Sequence, residues 1–133
     1  YIVAIAKSPL QIKVLEKIGA NRIVAPERDM ARRVAYNLAS TNIMDYIELS
    51  PKFSIVEIAV PKAIRNKTLS ESNIRAKYGL NVVAIKRHDN LIISPLPTEV
   101  LLENDIAIVV GSNESINGLE ALEKIMELNH KSN

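Results

Sequence analysis

The chain has 133 residues, 47% of them apolar but only 4% aromatic and none of them Trp, so its core must be built from Ile, Val, Leu and Ala, an α/β-like composition. Acids and bases are interspersed and the formal net charge is +2, which argues against the basic face that a nucleic-acid partner requires. Cysteine is absent, which excludes a disulfide framework and Cys-based zinc sites and fits a reducing cytosol, and no apolar run approaches the roughly 18 residues that span a bilayer.

The chain opens without Met in YIVAIA, a short strand-like run, and reads as an excised piece whose upstream partners are missing. PLQIKVLEKIG follows at helical spacing through Leu10, Val14, Leu15 and Ile18, with Gly19 closing the helix. NRIVAP is a second strand stopped by Pro26, and ERDMARRVAYNLAS a second helix with acids near its start. Strand, helix, strand, helix with such short connections implies parallel strands, as at the end of a doubly wound, Rossmann-like sheet. The Gly-rich phosphate turn of that architecture, G-x-G-x-x-G, occurs nowhere.

STNIMDYIELSP reads as an amphipathic connecting helix carrying Ile43, Met44, Tyr46, Ile47 and Leu49. It either packs on its own sheet or crosses to a second subunit. The lobe boundary is placed at Ser50-Pro51, giving an α/β lobe over 1–49 and an α+β lobe over 50–133. In the second lobe FSIVEIAV is an alternating strand with one strongly apolar side, Phe53, Ile55, Glu57 and Ala59 lying on one face and Ser54, Val56, Ile58 and Val60 on the other. NKTLSESNI is a short helix or turn capped by Thr68 or Ser70. NVVAIKR and LIISP form a hairpin with Asp89-Asn90 at the turn, DIAIVVGS is a further strand, and ESINGLEALEKIMEL is an amphipathic helix with Ile116, Leu119, Leu122, Ile125 and Met126 at helical spacing.

Catalytic chemistry is not readable. His88 falls in a turn and His130 in a polar tail, neither beside a nucleophile, while Glu103 and Asp105 are spaced like a solvated loop rim. What remains is SNIRAKYGLNVVAIKRHDN, where an apolar strand is bracketed by Arg75, Lys77 and Asn81 before it and Lys86, Arg87 and His88 after it. Folding the Lys77-Tyr78-Gly79 turn brings Arg75 and Asn81 together, a pair of donors suited to a phosphate. Leu69, Ile74, Ala76, Pro95 and Pro97 supply apolar surfaces for a flat base, so the pattern suits a nucleotide. The competing reading pairs Arg75 with Glu71 and uses the prolines to stiffen a loop. Lys86 is expected at the solvent-facing end of its strand.

VLEKIGANRIVAPERDMARRVA, DYIELSPKFSIVEIAVPKAIRNKTLSESNIRAKYGLNVVAIKR and ISPLPTEVLLENDIAIVVGS together strongly resemble the KtrA/KtrC and TrkA type of RCK proteins, cytosolic gating subunits of bacterial potassium uptake. The resemblance implies the end of a Rossmann-like RCK lobe, which in the family binds ATP, ADP or NAD through residues that would precede Tyr1, followed by a whole C-lobe of TrkA-C type. In Firmicute members that C-lobe is similar to a receptor for cyclic di-AMP, bound on the twofold axis of a homodimer. Carried over by position, Arg75 and Asn81 contact phosphate and Leu69, Ala76 and Pro97 contact adenine. Ile74 lies in the same site, Ser70 stands where some members have an aliphatic residue, and Lys77 and Asn90 occupy neighbouring positions of variable type.

The resemblance also implies a membrane potassium-channel partner of KtrB/TrkH type and a cytoplasmic location peripheral to that channel, with inhibition of potassium uptake by the ligand. It implies no enzyme activity. A different class of function, a C-lobe that only dimerises and assembles a channel subunit gated by ATP/ADP or NAD in the missing lobe, remains compatible with the substituted Ser70 and Lys77. A dinucleotide-dependent enzyme would need a Gly-rich turn upstream.

Overall fold

In the computed structural model, which describes residues 1–40 and 42–131, the chain divides between Ala39 and Ser40 into two compact units. The side chains of Leu122 and His130, both read in the sequence, lie outside the described residues.

The first unit contains β1 (Val3–Ile5), α1 (Pro9–Lys17), β2 (Arg22–Val24) and α2 (Pro26–Ala39). The strands pair in parallel, Val3 with Arg22 and Ile5 with Val24, as two strands joined through a helix should. Ser8 caps α1 by accepting the Gln11 N–H at 3.3 Å, and Gly19 leaves the helix at φ +88°, a conformation that a residue with a Cβ rarely adopts. Pro26 opens α2, where its missing N–H has no intrahelical partner to lose.

The second unit is a five-stranded antiparallel sheet in the order β3-β4-β7-β5-β6. Its strands are β3 (Ile43–Ser50), β4 (Phe53–Ala59), β5 (Asn81–Arg87), β6 (Asn90–Ile93) and β7 (Ile106–Ser112). A single 3₁₀ turn at Lys62–Ile64, the short helices α3 (Leu69–Ser72) and α4 (Ile74–Tyr78), and the long α5 (Asn113–Lys131) complete it. Of the two faces of β4, the one carrying Ser54, Val56 and Ile58 turns inward, and Val60 just beyond the strand is buried with them. Val56, Ile58 and Val109 of the sheet, Leu80, and Ile116 and Leu119 of α5 border one small internal gap and form the core. Ser54 is tolerated at 0% exposure because its hydroxyl donates to Asn113 Oδ1 at 2.6 Å, which satisfies it without water.

Two expectations are corrected. Residues 43–50 form a strand, not a connecting helix: β3 pairs antiparallel with β4, Tyr46 opposite Val56 and Ile47 opposite Ile55. Ser50-Pro51 therefore sits in a hairpin turn within one sheet, where Ser50 Oγ accepts the N–H of Lys52 at 3.3 Å and of Phe53 at 3.2 Å. Apolar residues so closely spaced satisfy both periods, and the partner strand decides between them. In the second hairpin Arg87 pairs with Asn90, so the turn is His88-Asp89, with His88 at φ +52°, and Asn90 belongs to β6.

Candidate functional site

Four local devices shape a cleft at one end of the sheet. Thr68 caps α3 through a reciprocal box: its Oγ1 accepts the Glu71 N–H at 3.1 Å while Glu71 Oε2 accepts the Thr68 N–H at 2.8 Å, satisfying two donors that a helix start leaves open. The Thr68 N–H, and then its hydroxyl, hold the Glu71 carboxyl below its ordinary range. Asn73, at φ +50°, breaks the chain between α3 and α4. Gly79, at φ +67°, ends α4, after which fully buried Leu80 turns the chain into β5 at Asn81. A Cβ on Gly111 of β7 would collide with Leu80 Cδ2, so the glycine makes room for that turn.

The fourth device is the segment after β6. Pro97 O accepts the Ser70 N–H and Glu99 O the Leu69 N–H, both at 2.9 Å, and the Leu101 N–H returns to Lys67 O at 2.9 Å, so this segment runs alongside the start of α3.

The resulting open cleft holds about 320 Å³, with apolar walls of Leu69, Ile74, Leu80, Val82, Pro95 and Pro97 and polar groups from Ser70, Asn73, Arg75 and Asn81. Arg75 and Asn81 do come together here, with Leu69, Ser70, Ile74 and Pro97. Ala76, Lys77 and Asn90 do not line the cleft: the first two follow Ile74 and Arg75 around the turn of α4, and Asn90 stands in β6. Asn73, Leu80 and Val82 were missed. For Asn73 the signal was an Asn between two short helical patterns, a residue suited to left-handed backbone; Leu80 and Val82 simply flank Asn81.

The cations of the bracket separate into two kinds. Lys86 Nζ lies 2.5 Å from Glu57 Oε1 in a half-buried pair, and is not the free solvent-facing charge expected. The Arg87 guanidinium grips Asp105 with Nε at 2.9 Å and Nη2 at 2.8 Å, donates through Nη1 to Glu99 Oε1 at 2.9 Å and through Nη2 to Val100 O at 2.8 Å. Asp105, read as a solvated rim, is 2% exposed. Burial opposes its ionisation, but Arg87 and the Leu102 N–H hold its carboxyl below the usual range, and the bonds to Asp105 and then Glu99 push the Arg87 guanidinium further up. Glu103 is the exposed partner of Arg65, at 2.8 Å. By contrast, Asn73, Arg75 and Asn81 have no side-chain hydrogen bond or ion pair among the described residues, and Arg75 is not joined to Glu71.

Among the described residues no group of three metal-ligating side chains gathers, and no helix is long and apolar enough to cross a membrane.

A TrkA-C domain is matched over residues 53–124, and the antiparallel sheet flanked by helices has the fold of an RCK C-lobe; the chain belongs to the TrkA-C family of RCK domains. It is 51% identical over 115 residues to the Ktr system potassium uptake protein C of Bacillus subtilis (strain 168), covering 86% of this chain and 52% of that protein. This chain thus spans about half the length of that curated relative. The crystal structure of the GsuK RCK domain matches at 28% identity with a TM-score of 0.54, over 92% of this chain and 27% of that one. A KtrA RCK C domain solved in complex with cyclic diadenosine monophosphate is 38% identical over 52% of this chain and 81% of its own, with a TM-score of 0.49, too low for that superposition to place a ligand here.

Proposed function

We propose that this chain is the regulatory part of a potassium-uptake subunit and that its cleft binds cyclic di-AMP across a homodimer. The carrying observation is Arg75, without a side-chain partner among the described residues, beside Asn81 on a cleft walled largely by aliphatic side chains and two prolines. An unsatisfied guanidinium and amide suit a phosphodiester, and the apolar walls suit a base. An open cleft of about 320 Å³ favours a half-site completed by a second copy. A twofold ligand on a twofold axis would then meet Arg75 and Asn81 twice, once per phosphate.

In this reading the ligand stabilises one arrangement of paired C-lobes, and inhibition requires that arrangement to disfavour the open channel. The partner is a membrane channel subunit of KtrB/TrkH type on the cytoplasmic side, and ATP, ADP or NAD belongs to a larger Rossmann-like lobe of which the first unit is the end. Exposed Ile47 and Phe53 on the sheet face away from α5 support dimerisation and keep alive the second reading, an assembly module without a ligand. Calorimetric titration with cyclic di-AMP, with sedimentation on the same samples, tests both. One ligand per dimer is expected; a dimer that binds nothing leaves the assembly reading, and one ligand per monomeric chain overturns the shared site.

A further inference from the structure

We propose that Arg87 is a positioning residue for the cleft: through Glu99, the Val100 carbonyl and Asp105 it holds the segment that carries the Pro95–Pro97 wall, without itself lining the site. This deepens the cyclic di-AMP reading and rests on it for the ligand. The wall segment has two kinds of anchor. On the cleft side it is tied to α3 by the bonds from Leu69 and Ser70. On the far side Arg87, at the end of β5, reaches Glu99 and the Val100 carbonyl, at 2.9 and 2.8 Å, while gripping Asp105.

Asp105 is in turn fixed at both ends, Oδ2 accepting the Leu102 N–H at 2.9 Å and its carbonyl accepting the Val60 N–H at 3.0 Å. The guanidinium therefore ties the residue that follows β4, the end of β5 and the wall segment to one point. Only a planar fork serves two carboxylates and a carbonyl at once; a lysine ammonium keeps the charge but not the geometry. Without the clamp, the proline wall would keep its bonds to α3, the Ser94 N–H bond to Val83 O at 2.9 Å and the Leu101 bonds to Asn66 and Lys67 but lose its side-chain tie to the end of β5, whereas Arg75 and Asn81, set by α4 and the start of β5, would stay in place. Loss of Arg87 should thus degrade the apolar base side of the site and spare the phosphate side.

The test uses Arg87→Lys and Glu99→Gln, which cut the clamp at its two ends while leaving Asp105 a cationic or intact partner. On the ligand-free protein, amide hydrogen exchange of Leu69, Ser70 and Leu101 should accelerate about tenfold in both variants, with Val56 and Val109 of the central strands unchanged. In titrations the discrimination between cyclic di-AMP and cyclic di-GMP should fall by a similar factor in both variants, and the double variant should be no worse than Arg87→Lys alone. A merely destabilised fold would lower the bound fraction without moving that ratio. Unchanged exchange at the Leu69, Ser70 and Leu101 amides, or a ratio unmoved in variants that bind, overturns the inference. Wild type that binds neither dinucleotide sinks the ligand reading instead, and the clamp then stands or falls on exchange alone.

Discussion

Replacing Arg75 with Ala should abolish most cyclic di-AMP affinity and leave the fold alone. Among the described residues the guanidinium makes no side-chain hydrogen bond or ion pair, and it stands on the exposed side of α4, so the substitution removes no such contact from the fold. In the complex it would make a charge-assisted bond to phosphate, worth roughly 1.5–3 kcal/mol. The exposed lip favours the low end, but two copies are lost per dimer, so the cost is about 3 kcal/mol, or roughly a hundredfold in Kd. Lys86→Ala is the control, since it removes the same charge from the same stretch. That lysine is committed to Glu57 in a pair whose side chains are 41% and 23% exposed, so its loss should cost about 0–1 kcal/mol of stability and change affinity little. Calorimetry at two salt concentrations, with sedimentation on the same samples, reads both. Equal, small losses for the two variants in intact dimers would refute the assignment of Arg75 as phosphate anchor.

Gly111→Ala should destabilise by about 1–3 kcal/mol through overpacking, because the new methyl meets Leu80, and it should also weaken binding by displacing the adjacent Asn81; a melt and a titration on one sample check both. Thr68→Ala should cost about 1 kcal/mol by removing the cap of α3, visible as a lower midpoint in urea. Asp105 and Glu120 should give opposite pH signatures in thermal melts. The folded Asp105 carboxyl sits below its unfolded value, so its contribution is complete above the unfolded value and is lost as pH falls through the folded one; Asp105→Asn should flatten that loss and lower the melting temperature at neutral pH. Glu120 is raised by burial first, with Lys124 opposing and Glu123 adding, and its Oε1 is buried without a hydrogen-bond partner among the described residues. Its ionised form therefore burdens the fold at neutral pH and the burden lifts as pH falls through the folded value; Glu120→Gln should raise the neutral melting temperature and flatten that rise.

Local patterns sufficed for much of this molecule. The two βα pairs, the alternation of β4, the cap at Thr68 and the convergence of Arg75 and Asn81 each depend on residues close in the chain, where spacing, turn chemistry and propensity act directly. The strand at 43–50 and the fates of Lys86, Arg87 and Asp105 do not. Ile43–Ser50 carries apolar residues at spacings that serve either period, and only β4 beside it makes a strand the better way to bury Tyr46. The cations of the bracket are chemically alike in sequence; Glu57 lies 29 residues from Lys86 and Asp105 lies 18 from Arg87, so which charge is spent on the fold and which is left for a ligand is settled by strand order. Sequence by itself determined which side chains could hold a phosphate and a base, because those are properties of residue types. The tertiary structure decided which of them remain free to do so, because hydrogen-bond partners are assigned only when distant strands meet.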